Sequence, residues 1–249
     1  MSARPEFPPP IQVPGEPAPP PEPAPLHRRA EVPDVVDEAT DRFGAEEAAA
    51  RLGERLALVS SSAPSAARVA ADGEILLTPA LAAGHDRIAG PASARATLVA
   101  FGAHGTPSSR SLGAVLEAVR RQHPATVGVA WRHYPDPAAH PRAAVLALAV
   151  EAAAEAGKFW TLTRELLRLR HHDPTDLHGA IVRSSLDPNH VLEAMRRGTG
   201  EDRIAGDVAS ALASGVTYAP VLFIAGERYR GEVRPAPVLA AVESALRGA

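Results

Sequence analysis

Apolar and polar positions alternate with different periods along this chain, and the clearest change of period lies near its middle. Thr97 to Gly102 is an almost unbroken apolar run that stops at Gly102-Ala103-His104-Gly105, the pattern of a buried strand ending in a turn. Arg110 to Arg121 then carries Leu112, Val115, Leu116 and Val119 at i, i+3, i+4 and i+7, which predicts an amphipathic helix. Thr106 is placed to cap it. Pro107 stands at the first helical position, where a missing N–H costs nothing. A second strand is predicted over 125–132, with Val127, Val129 and Trp131 alternating. Strand, helix and strand joined at this length form a βαβ unit, whose handedness pairs the strands in parallel.

The flanking regions read as follows. From Asp34 to about Val59, Val35, Val36, Ala39, Phe43, Ala48, Leu52 and Leu56 recur at near-helical spacing, predicting one or two amphipathic helices with a phase shift at Gly44. A break is expected at Ser60–Ser65, and Glu74 to Thr78 reads as a short strand closed by Pro79. From Pro141 to about Ser214 the pattern is helical. Helix starts are marked by His140-Pro141, Asp173-Pro174 and Asp187-Pro188, and ends by Gly157, Gly198 and Gly215. Strand signals return over 216–225, Gly226-Glu227 makes a hairpin-like turn, and Pro235 opens a last helix with Val238, Leu239, Val242 and Leu246 on one face. The order βαβ, helical insertion, ββα is that of an α/β thioredoxin fold with a helical insertion at about 141–214.

Composition narrows the function. Hydrophobic residues make up 45% of the 249, enough for a core, whereas 4–26 is dominated by proline, including Pro8-Pro9-Pro10 and Pro19-Pro20-Pro21. That stretch is expected to be extended and disordered, a spacer rather than a ligand for a proline-binding module. The expected organisation is a Pro-rich segment over 1–33, an extension of unassigned role over 34–84, and a thioredoxin-fold domain over 85–249. A net charge of −3 supplies no field for nucleic acid or an anionic membrane. With no secretory pattern at the start and no window of about 18 apolar residues, the expectation is a cytoplasmic chain without membrane insertion. There is no cysteine, so disulfides, thiolate nucleophiles and Cys-ligated metals are excluded.

Seven segments, in order, carry a resemblance. They are 85–91 (His85 to Pro91), 97–102, Trp131-Arg132-His133-Tyr134-Pro135, His140-Pro141, Gly157-Lys158-Phe159-Trp160, 214–220 (Ser214 to Pro220) and 226–231. Over about two-thirds of its length the chain resembles the DsbA-like thioredoxin-fold proteins, most closely the thioredoxin-like domains fused to sodium/proton antiporters of the NhaA type. The family carries Cys-Pro-x-Cys where this chain has Thr106-Pro107-Ser108-Ser109. Mixed-disulfide exchange needs sulfur on both partners, so the family's dithiol chemistry is ruled out. The resemblance also places a cis-proline at Ala219-Pro220, facing that turn, where the preceding backbone pairs with an extended peptide.

These residues leave several readings. The first is a redox-inactive pseudoenzyme that keeps a peptide- or protein-docking site formed by Thr106, Ala219 and Pro220, with no cofactor and no metal. The alternative is a glutathione-dependent transferase or isomerase of the kappa type, whose Ser-Pro-x-Ser turn holds the glutathione sulfur, with Thr106 in that role. The remaining one is a structural remnant serving assembly. Thr106, Ser108 and Ser109 otherwise read as cap and first-turn residues. A Ser-His hydrolase built from Ser108 or Ser109 with His104 or His133 lacks a Gly-x-Ser-x-Gly elbow. His171, His172, Asp173 and His178 read as loop residues rather than metal ligands. His133 and His140 are expected to be structural, and Phe159 and Trp160 core anchors.

Overall fold

The computed structural model describes residues 38–62, 67–70, 73–82 and 86–248. The Pro-rich segment 1–33, residues 34–37, residues 63–65 of the expected break, and His85 lie outside the described residues.

The apolar run at 97–102 forms β2 (Ala96–Gly102), and the predicted helix is α2 (Pro107–Gln122). The second strand is β3 (Val127–His133), parallel to β2 from Ala96↔Val127 to Gly102↔His133. Three further strands complete the sheet: β1 (Arg87–Ala89), β4 (Val221–Ile224) and β5 (Glu227–Arg228), in the order β1-β3-β2-β4-β5. All pairings other than β2–β3 are antiparallel. Every residue of β3 is buried, so the sheet is covered on both faces. Alternation sorts its side chains: Leu98, Ala100, Val127, Val129 and Trp131 enter the main core. Val99, Phe101, Ala130, Val221 and Phe223 face a smaller cluster with Leu77 and Val216, in which Phe101 and Phe223 meet edge to face at 5.8 Å. A last helix, α8 (Pro235–Gly248), packs against α2 and β2.

The insertion is helical throughout: α3 (Arg142–Glu155), α4 (Phe159–Arg168), α5 (Pro174–Arg183), α6 (Pro188–Arg196) and α7 (Glu201–Ala213). Asp173 and Asp187 cap α5 and α6, accepting the Asp176 and Asn189 amides, with Pro174 and Pro188 at the first helical positions. Helix α3 begins one residue later than His140-Pro141 predicts: Pro141 occupies the cap position and no side chain caps this end. Gly157, Gly198 and Gly215 close their helices with φ of 68°, 81° and 67°.

Two local expectations differ from what is observed, and one strand goes beyond them. The predicted strand over 216–225 is only β4, because Thr217 and Tyr218 are exposed and Pro220 has no N–H to give a ladder. Glu74 to Thr78 makes single bridges rather than a full strand. The Arg228 amide donates to the Ile75 carbonyl and the Leu77 amide to the Gly226 carbonyl, both at 2.9 Å, covering the β5 edge. Strand β1, three residues long, was too short to show a period. It follows Asp86, whose carboxylate forms a two-pronged ion pair with buried Arg132 on β3, at 2.8 and 3.1 Å.

The N-terminal helical region is one helix, α1 (Glu38–Ser61), continuous through Gly44. It lies across α3, α6 and α7, with Ala48, Leu52 and Leu56 buried in the main core and Arg51 and Arg55 paired with Glu201 and Asp202.

A groove beside the Thr106 turn

The strand β2 ends in Gly102, and the chain turns through Gly105, whose φ of 86° suits a residue without Cβ. Thr106 caps α2: its Oγ1 accepts the Ser109 backbone N–H at 3.1 Å. The same oxygen lies 3.1 Å from the Ala103 carbonyl, 3.1 Å from Ser108 Oγ and 2.9 Å from Ser109 Oγ. The Ala103 amide donates to Ser109 Oγ at 3.2 Å. Three hydroxyls thus hold one another and tie the helix start to the strand end. Thr106 and Ser109 are buried, and Ser108 is half-buried. Replacing Thr106 by alanine is expected to cost about 1 kcal/mol in urea unfolding, with serine retaining most of the stability; equal stability of Thr106→Ala and wild type would remove the capping role.

Beside this turn lies an open groove of about 650 Å³. The turn contributes Ala103, Thr106 and Ser108, and the connection from β3 to α3 contributes 134–140, from Tyr134 to His140. That connection is held by Asp136, whose Oδ1 accepts the amides of Ala138 and Ala139, each at 3.1 Å. The opposite side is Thr217, Tyr218 and Ala219, joined to Pro220 by a cis peptide bond. None of these three makes a backbone hydrogen bond among the described residues, and Tyr218 is 61% exposed. The remaining wall, which sequence reasoning did not find, is α1: Gly53, Leu56, Ala57 and Ser60. Their i, i+3, i+4, i+7 spacing marks one helix face, but not what that face meets.

Solved structures share this architecture. A thioredoxin-like oxidoreductase from Silicibacter pomeroyi matches with a TM-score of 0.59 at 20% identity, covering 67% of this chain and 94% of that one. Alpha-DsbA1 of Wolbachia pipientis matches with a TM-score of 0.59 at 14% identity, over 68% of this chain and 94% of that one. The chain has the DsbA-like thioredoxin fold. BdbD of Bacillus subtilis is also similar, with a TM-score of 0.57 at 15% identity over 66% of this chain and 94% of that one. In sequence, the chain is 35% identical over 167 residues to the Na(+)/H(+) antiporter NhaA 1 of Salinispora arenicola, covering 66% of this chain and 25% of that protein. It is 32% identical over 190 residues to an NhaA antiporter of Herminiimonas arsenicoxydans, 72% of this chain and 28% of that protein. The chain therefore spans about a quarter of the length of these relatives. No protein-family model matches it.

Within this DsbA-like fold a buried polar cluster sits at the ends of β2 and β3. Glu151 of α3 accepts from His133 Nε2 at 3.0 Å and from Arg87 Nη2 at 2.6 Å. The Trp131 indole N–H points to His133 Nδ1 at 3.4 Å. Burial pushes the Glu151 carboxyl up, but the hydrogen bonds and charges of His133 and Arg87 outweigh it and hold the group at about 2. Asp207 of α7 accepts the His133 backbone N–H at 2.8 Å, and here burial wins, raising its carboxyl to about 6. His104 stacks on Trp131 at 4.5 Å, and neither ring nitrogen has a hydrogen-bond partner among the described residues. Burial drives its pKa well below 6.5, so it packs as a neutral aromatic ring.

Asp207 makes stability depend on pH. Its folded pKa lies above the unfolded value of 3.8, so its ionisation opposes folding: the protonated group costs nothing below about pH 4, and stability falls as pH rises through about 6. Asp207→Asn keeps an acceptor for the His133 amide and removes the charge. It is expected to gain more than about 1 kcal/mol at pH 8 and nothing at pH 4; urea unfolding at the two pH values checks this, and a gain equal at both would overturn it.

The other sequence candidates are dispersed. His172 Nε2 is 3.0 Å from the Leu166 carbonyl, and its own carbonyl accepts from Arg142 Nε at 2.8 Å. Asp173 is a cap, and no group of three His, Asp or Glu among the described residues is placed to hold a metal. His133 belongs to the buried cluster, while His140 lines the groove. Phe159 is buried, with the Arg87 guanidinium 5.6 Å from its ring centre; Trp160 packs half-buried against the core. No described helix is long and apolar enough to cross a membrane.

Proposed function

We propose that this chain is a thiol-free docking protein that binds an extended segment of another polypeptide in the groove between the Thr106 turn and Ala219. The observation that carries this is the unpaired backbone of Thr217, Tyr218 and Ala219 along one side of an open groove. Free amides and carbonyls beside a cleft offer strand-like hydrogen bonds to an incoming chain, and the side-chain pockets select its sequence. The absence of cysteine makes docking reversible and noncovalent. Ion transport is not carried over from the antiporter relatives, since the match covers a quarter of their length.

The glutathione reading has less support. The Thr106 hydroxyl that would hold the sulfur is buried and engaged by Ser109 and the Ala103 carbonyl.

The test is selection of a phage-displayed random octapeptide library on the full chain. Enriched peptides are expected to lose affinity at least tenfold on Ser108→Trp, which fills the groove from the turn side. No enrichment, or binding indifferent to Ser108→Trp, would overturn the reading. Titration with millimolar glutathione separates the alternative: saturable binding weakened by Thr106→Ala would favour the transferase class.

A further inference from the structure

We infer that α1 is the wall that sets what this groove accepts, and that its occupant is an extended peptide segment, neutral or basic, with a large apolar side chain turned toward α1. This rests on the docking reading above and adds the partner's chemistry to it.

The space is at α1. A Cβ built on Gly53 would meet no atom within 4 Å, and Ala57, one turn on, is exposed. Between and behind them the surface is apolar, because Leu56 and Val208 line the groove while their bulk belongs to the main core. A bulky side chain entering here replaces water against hydrocarbon, the favourable exchange for an aliphatic or aromatic group. The facing connection presents Pro135 and Pro137, which hold little conformational freedom to lose on binding.

Charge sets the rest of the sequence. No lysine or arginine lines the groove, and its carboxylate, Asp136, is exposed. An acidic segment meets the Asp136 carboxylate with no lysine or arginine in the lining to offset it, whereas arginine or lysine beside the apolar residue finds Asp136. The unpaired Thr217–Ala219 backbone favours an extended occupant over a helix, whose own backbone bonds are already made.

The experiment uses the octapeptides selected on the full chain and two variants, Gly53→Phe and Ala57→Trp, each projecting a ring from α1 into the groove. Neither replaces a core side chain, and loss of a mid-helix glycine favours folding, so Gly53→Phe should melt no lower than wild type. The expected result is enrichment of peptides with a central large apolar residue beside Arg or Lys, depletion of Asp and Glu, and at least tenfold weaker binding to both variants. Peptides weakened by Ser108→Trp but indifferent to both α1 variants would overturn this inference and leave the docking reading standing. Acidic consensus peptides would do the same. Peptides indifferent to all three variants would overturn both.

Discussion

Glu151→Ala is expected to destabilise the chain by about 3–5 kcal/mol at pH 7, the range for removing one partner of a buried ion pair. Glu151 and His133 are each 1% exposed, and Arg87 is about one-third exposed. Without the carboxylate, the Arg87 guanidinium has lost its charge partner and the His133 Nε2–H its acceptor. The void left by Cγ, Cδ and the carboxylate of a side chain only 1% exposed adds to the loss. Glu151→Gln retains an acceptor and should lose less. The pH dependence is distinctive. The folded pKa of about 2 lies below the unfolded 4.5, so the stabilisation is complete above about pH 4.5 and disappears as pH falls toward 2. Urea unfolding from pH 7 to pH 2.5 should show wild type and Glu151→Gln converging. Glu151→Ala within about 1 kcal/mol of wild type at pH 7 would show that the pair does not hold α3 to β1 and β3.

Gly102→Val is expected to cost about 3 kcal/mol or more, at the upper end for overpacking a filled core. A Cβ at position 102 would stand 2.3 Å from Trp131 Cη2 and 2.6 Å from its Cζ2. The indole cannot swing away cheaply: it is 1% exposed, stacked on His104 and hydrogen-bonded to His133. Its displacement would disturb the strand end from which the turn and the Thr106 cap depart. Near-ultraviolet circular dichroism should lose tryptophan signal together with the fall in melting temperature. A variant that keeps both would mean the strand end can shift without moving the indole. Adding Trp131→Phe to Gly102→Val should recover part of the loss, because the smaller ring vacates the contested space.

Local pattern read much of the fold correctly because the information was local. The caps at Thr106, Asp173 and Asp187 bind amides two or three residues away, so their signature is contiguous. The glycines after α3, α6 and α7 meet a backbone need set by the helix end itself. Strand β1 and the single bridges of Ile75 and Leu76 were not legible as such, because two or three residues carry no measurable period. For the candidate site, the turn itself was legible in the local pattern, while its role and that of Ala219-Pro220 came from family resemblance, and both line the groove or adjoin it.

By itself the sequence determined the chemistry open to this protein. With no sulfur nucleophile, only hydroxyls stand at the helix start, whatever the fold around them. It also determined the order of the elements, through periodicity and punctuation. Only the tertiary structure decided that α1 walls the groove with Gly53 and Ala57, and that Glu151 meets Arg87 across 64 residues and His133 across 18. Such contacts depend on which faces meet once separate elements pack, and a helix face records that it is apolar or small, not what it will touch.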